Sequence, residues 1–194
     1  ETVQEAPISL RDEELQVEAG VERGCAQRGV ATESFWGSTL FHIDDLPFPI
    51  DALDQVFTRF RKTVEKRARV RPPLDPVSHL KPLPESLTPG ELPTLRDVDL
   101  QAPPDDPRAS MLRFVGGETA ALARLQSYFW EGDHLRNYKE TRNGLLGASY
   151  SSKFSPWMAF GNLSPRRIHA EVKRYEQARV SNSSTYWMIF ELLW

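Results

Sequence analysis

The chain has 194 residues, 40% of them hydrophobic and 26% charged, with a formal net charge of −3. That balance belongs to a globular protein with a core and excludes a disordered chain. No apolar run approaches the ~18 residues of a spanning helix, which argues against an integral membrane role. Cys25 is the only cysteine, so an internal disulfide and a thiolate zinc site are excluded, and an intracellular or organellar setting is expected.

The charge is unevenly placed. Residues 1–107 carry 12 Lys/Arg against 20 Asp/Glu, whereas residues 108–194 carry 12 against 7. The second part is therefore the side suited to a polyanion. Glu1 is not a methionine and Trp194 falls inside an apolar helical run, so the chain reads as an internal segment.

From Leu10, RDEELQVEAGVERGCAQRGV predicts a helix with an acidic start, turning Leu15, Ala19 and Val21 inward. Val30 to Phe35 predicts a short strand before a turn at Gly37-Ser38. His42, Asp44 and Asp45 invite a metal reading, but a metal needs convergent ligands and no second cluster completes a shell. A loop is the better expectation, because Pro47 and Pro49 bar a regular element after it. Asp54 to Arg71 predicts a helix with Val56, Phe57, Phe60 and Val64 on its apolar stripe. Its cations, Arg59 to Arg71, face a single acid, Glu65; a solvated basic face is the preferred reading, a polyanion surface the other. Most of the 15 prolines fall between Pro72 and Pro107, marking a linker that runs over a surface and divides two domains.

From Met111 onward the chain reads as all-α. Gly116-Gly117 opens a helix reaching Trp130, with Leu122, Leu125 and Phe129 on one face. Ser155-Pro156 and Ser164-Pro165 look like paired helix starts, each a capping hydroxyl followed by a proline pre-set for the first turn. The helix over 165–180 should bury Ile168, Val172 and Tyr175, and Asn182 to Thr185 offer caps for a last helix over 186–194. Ser151-Ser152-Lys153-Phe154-Ser155 leads into one of these starts. Hydroxyls, a cation and backbone N–H groups gather there, which suits a phosphate but equally suits an ordinary cap. The histidines at 42, 79, 134 and 169 lie near no G-x-S-x-G elbow, so no hydrolase constellation is present.

The runs FWGSTLFHIDDLPF (35–48), VFTRFRKTVE (56–65), FVGGETAALARLQSYFW (114–130), YKETRNGLLG, YSSKFSPWMAFGNLSPR and STYWMIFELLW resemble the photolyase/cryptochrome family, and within it the cryptochrome DASH branch. The resemblance implies an α/β fold followed by an all-α one. Residues 1–71 would be the C-terminal part of the α/β antenna domain, 72–110 the proline-rich interdomain linker, and 111–194 the first helices of the FAD-binding helical domain. It further implies FAD as cofactor, with Tyr138, Ser151, Ser152, Lys153, Phe154 and Ser155 at the phosphates and Met188 near the flavin. A folate antenna (methenyltetrahydrofolate) is a second cofactor of the branch, with Gln4 or Glu5 as candidate contacts. Glu191 and Trp194 match the catalytic pocket that grips damaged bases, and Arg142, Glu191 and Trp194 match DNA contacts. A local alternative for Glu191 is a buried acid paired with an arginine beyond Trp194.

The whole protein would then be a monomeric, blue-light, FAD-dependent lyase repairing cyclobutane pyrimidine dimers in single-stranded DNA by photoinduced electron transfer. A chloroplast or mitochondrial setting is expected for a eukaryotic source. The segment alone would be inactive, because the flavin-ring contacts lie downstream of it in the family. The rivals are a signalling cryptochrome without repair activity and a truncated inactive product.

Overall fold

The computed structural model describes residues 10–102, 112–144 and 147–193. Contacts gather into two units, 1–36 and 37–194.

In the first unit, helix α1 spans Leu10–Ala26. It ends in a left-handed turn at Gly29 (φ 69°), where the Val30 N–H donates to Cys25 O and the Gly29 N–H to Ala26 O. This pairing closes the orphan carbonyls, and only glycine adopts the required φ without strain. Leu15 and Val21, expected to turn inward, are exposed. The strand expected over 30–35 is not formed: the segment is irregular, and Phe35 and Trp36 are exposed. A strand needs a neighbour to satisfy its N–H and C=O groups, and among the described residues none is present. The described residues are helical without strands.

In the second unit, residues 37–71 form a small aromatic cluster against the end of the last helix. Helix α2 (Phe57–Arg67) buries Val64, which packs with Leu40 and Leu193, and Phe57 and Phe60 flank them. Val56, expected on the stripe, is exposed and precedes the helix. The expected loop at 42–45 is a single 3-10 turn, with His42 Nδ1 accepting from the Asp44 N–H at 3.2 Å. Asp45 is held in a two-point pair by Arg71, at 2.6 and 3.0 Å. Among the described residues no cluster could hold a metal. Two cations of α2 and its tail are thus engaged within the chain, since Arg61 likewise meets Glu65 at 2.7 Å and Tyr186 at 2.8 Å. Over 72–102 the chain forms only a β-turn and one 3-10 turn at Leu95–Val98, with Leu74 and Leu92 almost fully exposed.

The main core is built by the helices after residue 112. Helix α3 (Glu118–Gln126) starts at Gly117, whose φ of 94° is a glycine conformation. It passes into a π-helical turn at Ser127–Glu131 rather than running on as the single α-helix expected. The wider turn lets consecutive Tyr128 and Phe129 both be fully buried, which 3.6-residue geometry on one face does not favour. Short helix α4 (Tyr138–Thr141) and α5 (Ser155–Ala159) follow, then α6 (Pro165–Ala178) and α7 (Ser183–Glu191). Ile168, Val172 and Tyr175 of α6 are fully buried, as their spacing predicts. Among the described residues no helix is long and apolar enough to cross a membrane.

Candidate functional site

The phosphate-type turn is built from beneath. Arg124, on α3, reaches under the loop and donates to Ala148 O (2.6 Å), Ser151 O (3.2 Å) and Ser152 O (3.0 Å). Its guanidinium lies 5.0 Å from the Tyr128 ring centre, and burial lowers its pKa from the ordinary arginine value. A guanidinium stays charged in such a place, so a half-buried positive charge sits under the turn and draws its carbonyls inward. Lys153 then takes a left-handed conformation (φ 56°) and Phe154 a right-handed one (φ −79°, ψ −19°). Successive residues of opposite hand form a backbone concavity of N–H groups suited to an anion. Phe154 anchors the turn, buried against Tyr128 and Phe129 with ring centres 6.0 and 5.9 Å away.

The two Ser-Pro starts differ. Ser164 caps α6 as expected, its Oγ accepting from the Arg166 N–H. Ser155 does not cap α5: it is the first helical residue, Phe154 stands at the cap, and no side chain bonds there. Because Lys153 reverses the chain just before, Ser155 already has helical geometry and its exposed hydroxyl is left beside the turn.

Tyr138 joins this turn to a second set of groups. Its pKa is pushed up to about 12, first by burial and then by the Glu191 carboxylate, while Arg142 and a hydrogen bond with Ser152 oppose the rise. It therefore remains a neutral donor through the ordinary pH range. Helix α7 brings Glu191 here. Asn182 caps that helix, accepting from the N–H groups of Ser184 and Thr185. Buried Ser184 ties α7 to α4, accepting from the Lys139 N–H at 3.0 Å and donating to Glu140 at 2.8 Å. With the two helices locked, Arg142 Nε meets Glu191 Oε1 at 3.2 Å. Within this chain, then, Arg142 is an ionic partner of Glu191.

Trp187 also donates from its indole N–H to Glu191 Oε1, at 2.8 Å. The Arg142 guanidinium lies 4.5 Å from the Trp187 ring centre and the Lys139 ammonium 5.2 Å from it. Met188 is buried in the main core together with Tyr138 and Phe154. Trp194, Gln4 and Glu5 lie outside the described residues, as does the boundary expected at 110–111. His169, partly buried, lines a cleft of about 360 Å³ between Val70–Pro73 and α6. Burial lowers its pKa, and Lys173 lowers it further against Glu176.

The sequence groups Tyr138 with Ser152, and Arg142 with Glu191, as two separate sets, and the structure sets the two side by side. Sequence reasoning missed Arg124 and Trp187. Each looks like part of a helix in the sequence, and only the partner atoms, 24 to 28 residues from Arg124, set it apart.

A family model described as DNA photolyase matches residues 8–85. Over 185 residues the chain is 54% identical to a protein named cryptochrome DASH from Gloeobacter violaceus, covering 95% of this chain and 37% of that protein. Against the crystal structure of a Synechocystis cryptochrome it is 53% identical with a TM-score of 0.86, covering 94% of this chain and 37% of that one. A class III photolyase from Agrobacterium tumefaciens, 20% identical, shares the fold with a TM-score of 0.70, covering 93% of this chain and 36% of that one. The chain spans about a third of the length of these relatives. With half its residues shared along nearly its whole length, the chain belongs to the photolyase/cryptochrome family and is similar to its cryptochrome DASH members.

Proposed function

We propose that the chain is a segment of a blue-light, FAD-dependent photolyase of the cryptochrome DASH type, whose whole protein reverses cyclobutane pyrimidine dimers in single-stranded DNA. In this reading residues 1–71 close an α/β domain, 72–110 link it, and 111–194 open the helical domain. The observation that carries it is the meeting of Arg142, Glu191, Tyr138 and Ser152 at one place, the Arg142–Glu191 pair being 49 residues apart in sequence.

The residues fit the phosphates of FAD. The Lys153–Phe154 concavity supplies N–H donors, Ser151, Ser152 and Ser155 supply hydroxyls, and Lys153 and the half-buried Arg124 supply positive charge. When bound and excited by light, the flavin supplies an electron to the lesion. The chain's own part is to hold and orient. Tyr138 packs at the same end as the turn, and Met188 gives it an apolar floor beside Tyr138 and Phe154. A photolyase takes its target out of the base stack, and a flipped base is read through its hydrogen-bonding edge. Glu191, a little over one-third exposed, offers an acceptor to the N–H groups of such a base. Arg142, held against it, offers a cation to the strand backbone.

The test is light-dependent dimer reversal by a full-length protein carrying this segment, on single-stranded substrate. Reversal that disappears in E191A supports the reading. A light-responsive flavoprotein that reverses no dimer overturns it and leaves the signalling role.

A further inference from the structure

The role given to Glu191 leaves Trp187 unexplained. One helical turn before Glu191 on α7, it places its indole N–H 2.8 Å from Glu191 Oε1, the same oxygen that takes the Arg142 Nε at 3.2 Å. Among the described residues, none donates to Oε2. The indole is itself fixed: Phe190 stacks on it with ring centres 4.8 Å apart at 27°, and Arg142 and Lys139 lie against the ring. Phenylalanine, though smaller, would keep an aromatic face for Phe190. The N–H is what the indole adds.

Arg142 alone would not hold the carboxylate in this way. A guanidinium and a carboxylate close most favourably as a two-point pair that uses both oxygens, as Arg71 and Asp45 do elsewhere in this chain. Here Trp187 takes Oε1 from the helix side, Arg142 meets the same oxygen through Nε while its Nη1 donates to Lys139 O, and among the described residues Oε2 has no donor.

We propose that Trp187 is a positioning residue for Glu191, which together with Arg142 engages Oε1 and keeps Oε2 as the acceptor for the N–H group of a flipped pyrimidine. This rests on the reading of Glu191 as the base-gripping acid. Trp187 acts on damage recognition through Glu191 and touches neither base nor flavin.

The experiment uses the flavin-loaded full-length protein carrying this segment, in the dark. Affinity is measured for a single-stranded oligonucleotide bearing one thymine cyclobutane dimer and for its undamaged twin, with W187F, E191A and the double variant. W187F should keep its flavin and Tm while its preference for the damaged strand falls about tenfold, the size of one lost hydrogen bond to a charged group. The double variant should discriminate no worse than E191A alone, because two residues acting through one interaction are not additive. If W187F loses flavin, benzothienylalanine at 187 keeps the ring shape, lacks the N–H and is subject to the same expectations. Undiminished discrimination in the variant lacking the N–H, or losses that multiply in the double variant, overturns the proposal. If E191A itself discriminates as well as the parent, the role of Glu191 falls first and that of Trp187 with it.

Discussion

Lys153 shows how one residue shapes the turn proposed to hold the phosphates. Its left-handed φ of 56° is sterically costly for a side chain with a Cβ, and it is held by what surrounds it. Arg124 pins the carbonyls of Ser151 and Ser152 from below, and Phe154 is locked in the aromatic core immediately after. With carbonyls drawn toward the guanidinium, the turn is left as a donor surface for an anion. Hydrogen bonds to charged groups contribute about 1.5–3 kcal/mol net. Replacing Ser152 and Ser155 together by Ala in the full-length protein should therefore weaken FAD at least about tenfold. Fluorescence titration of the apoprotein measures this; unchanged affinity would place the phosphates elsewhere.

At the scale of elements, the site depends on α7 being fixed to α4 and on α6 being fixed to the π turn. Ser184 does the first job through Lys139 and Glu140, and Asn182 supports it by capping α7 and donating from its side-chain N–H to Arg136 O, just before α4, at 2.9 Å. N182A should cost about 1 kcal/mol and N182G only a few tenths, read from urea midpoints. The second junction is ionic. Arg179, just past α6, donates to Trp130 O and to Asp133, which also accepts from the Tyr175 hydroxyl. Burial pushes the Asp133 carboxyl up, but the bonds from Tyr175 and Arg179 and the charges of Arg136 and Arg179 outweigh it, so its pKa is lowered. A depressed folded value stabilises above the unfolded value of about 3.9. That contribution is lost as pH falls from there through the folded value. Glu176 shifts the same way: burial raises it, but Lys173 and Thr185 outweigh the rise. Melting of the protein should fall steeply below about pH 4, and D133N should flatten that fall while lowering Tm at neutral pH.

For the whole molecule, the chain covers about a third of its relatives, and in the proposed reading it brings the phosphate turn and the Glu191–Arg142 pair on one helical core. A flavin held only at its phosphates lacks the ring contacts that give most of its buried surface. Residues 1–194 expressed alone should therefore retain little flavin through dialysis. Stoichiometric yellow protein after dialysis would mean that this part holds the ring as well.

What the sequence by itself determined is local. The 3.6-residue spacing of Ile168, Val172 and Tyr175 buried the right face of α6, and Ser164 and Asn182 capped their helices because a capping oxygen reaches only two or three residues ahead. The family followed from motifs quoted as contiguous runs. What only the tertiary structure decided are the partners of polar groups far apart in sequence. Ser155 loses its cap role because Lys153 reverses the chain before it, and Val30 to Phe35 finds no strand neighbour among the described residues. Arg124 finds its three carbonyls, and Glu191 is paired with Arg142 across 49 residues. A donor's periodicity records which face of a helix it occupies. Which acceptor lies opposite is settled by how the helices pack, and no spacing within one helix encodes that.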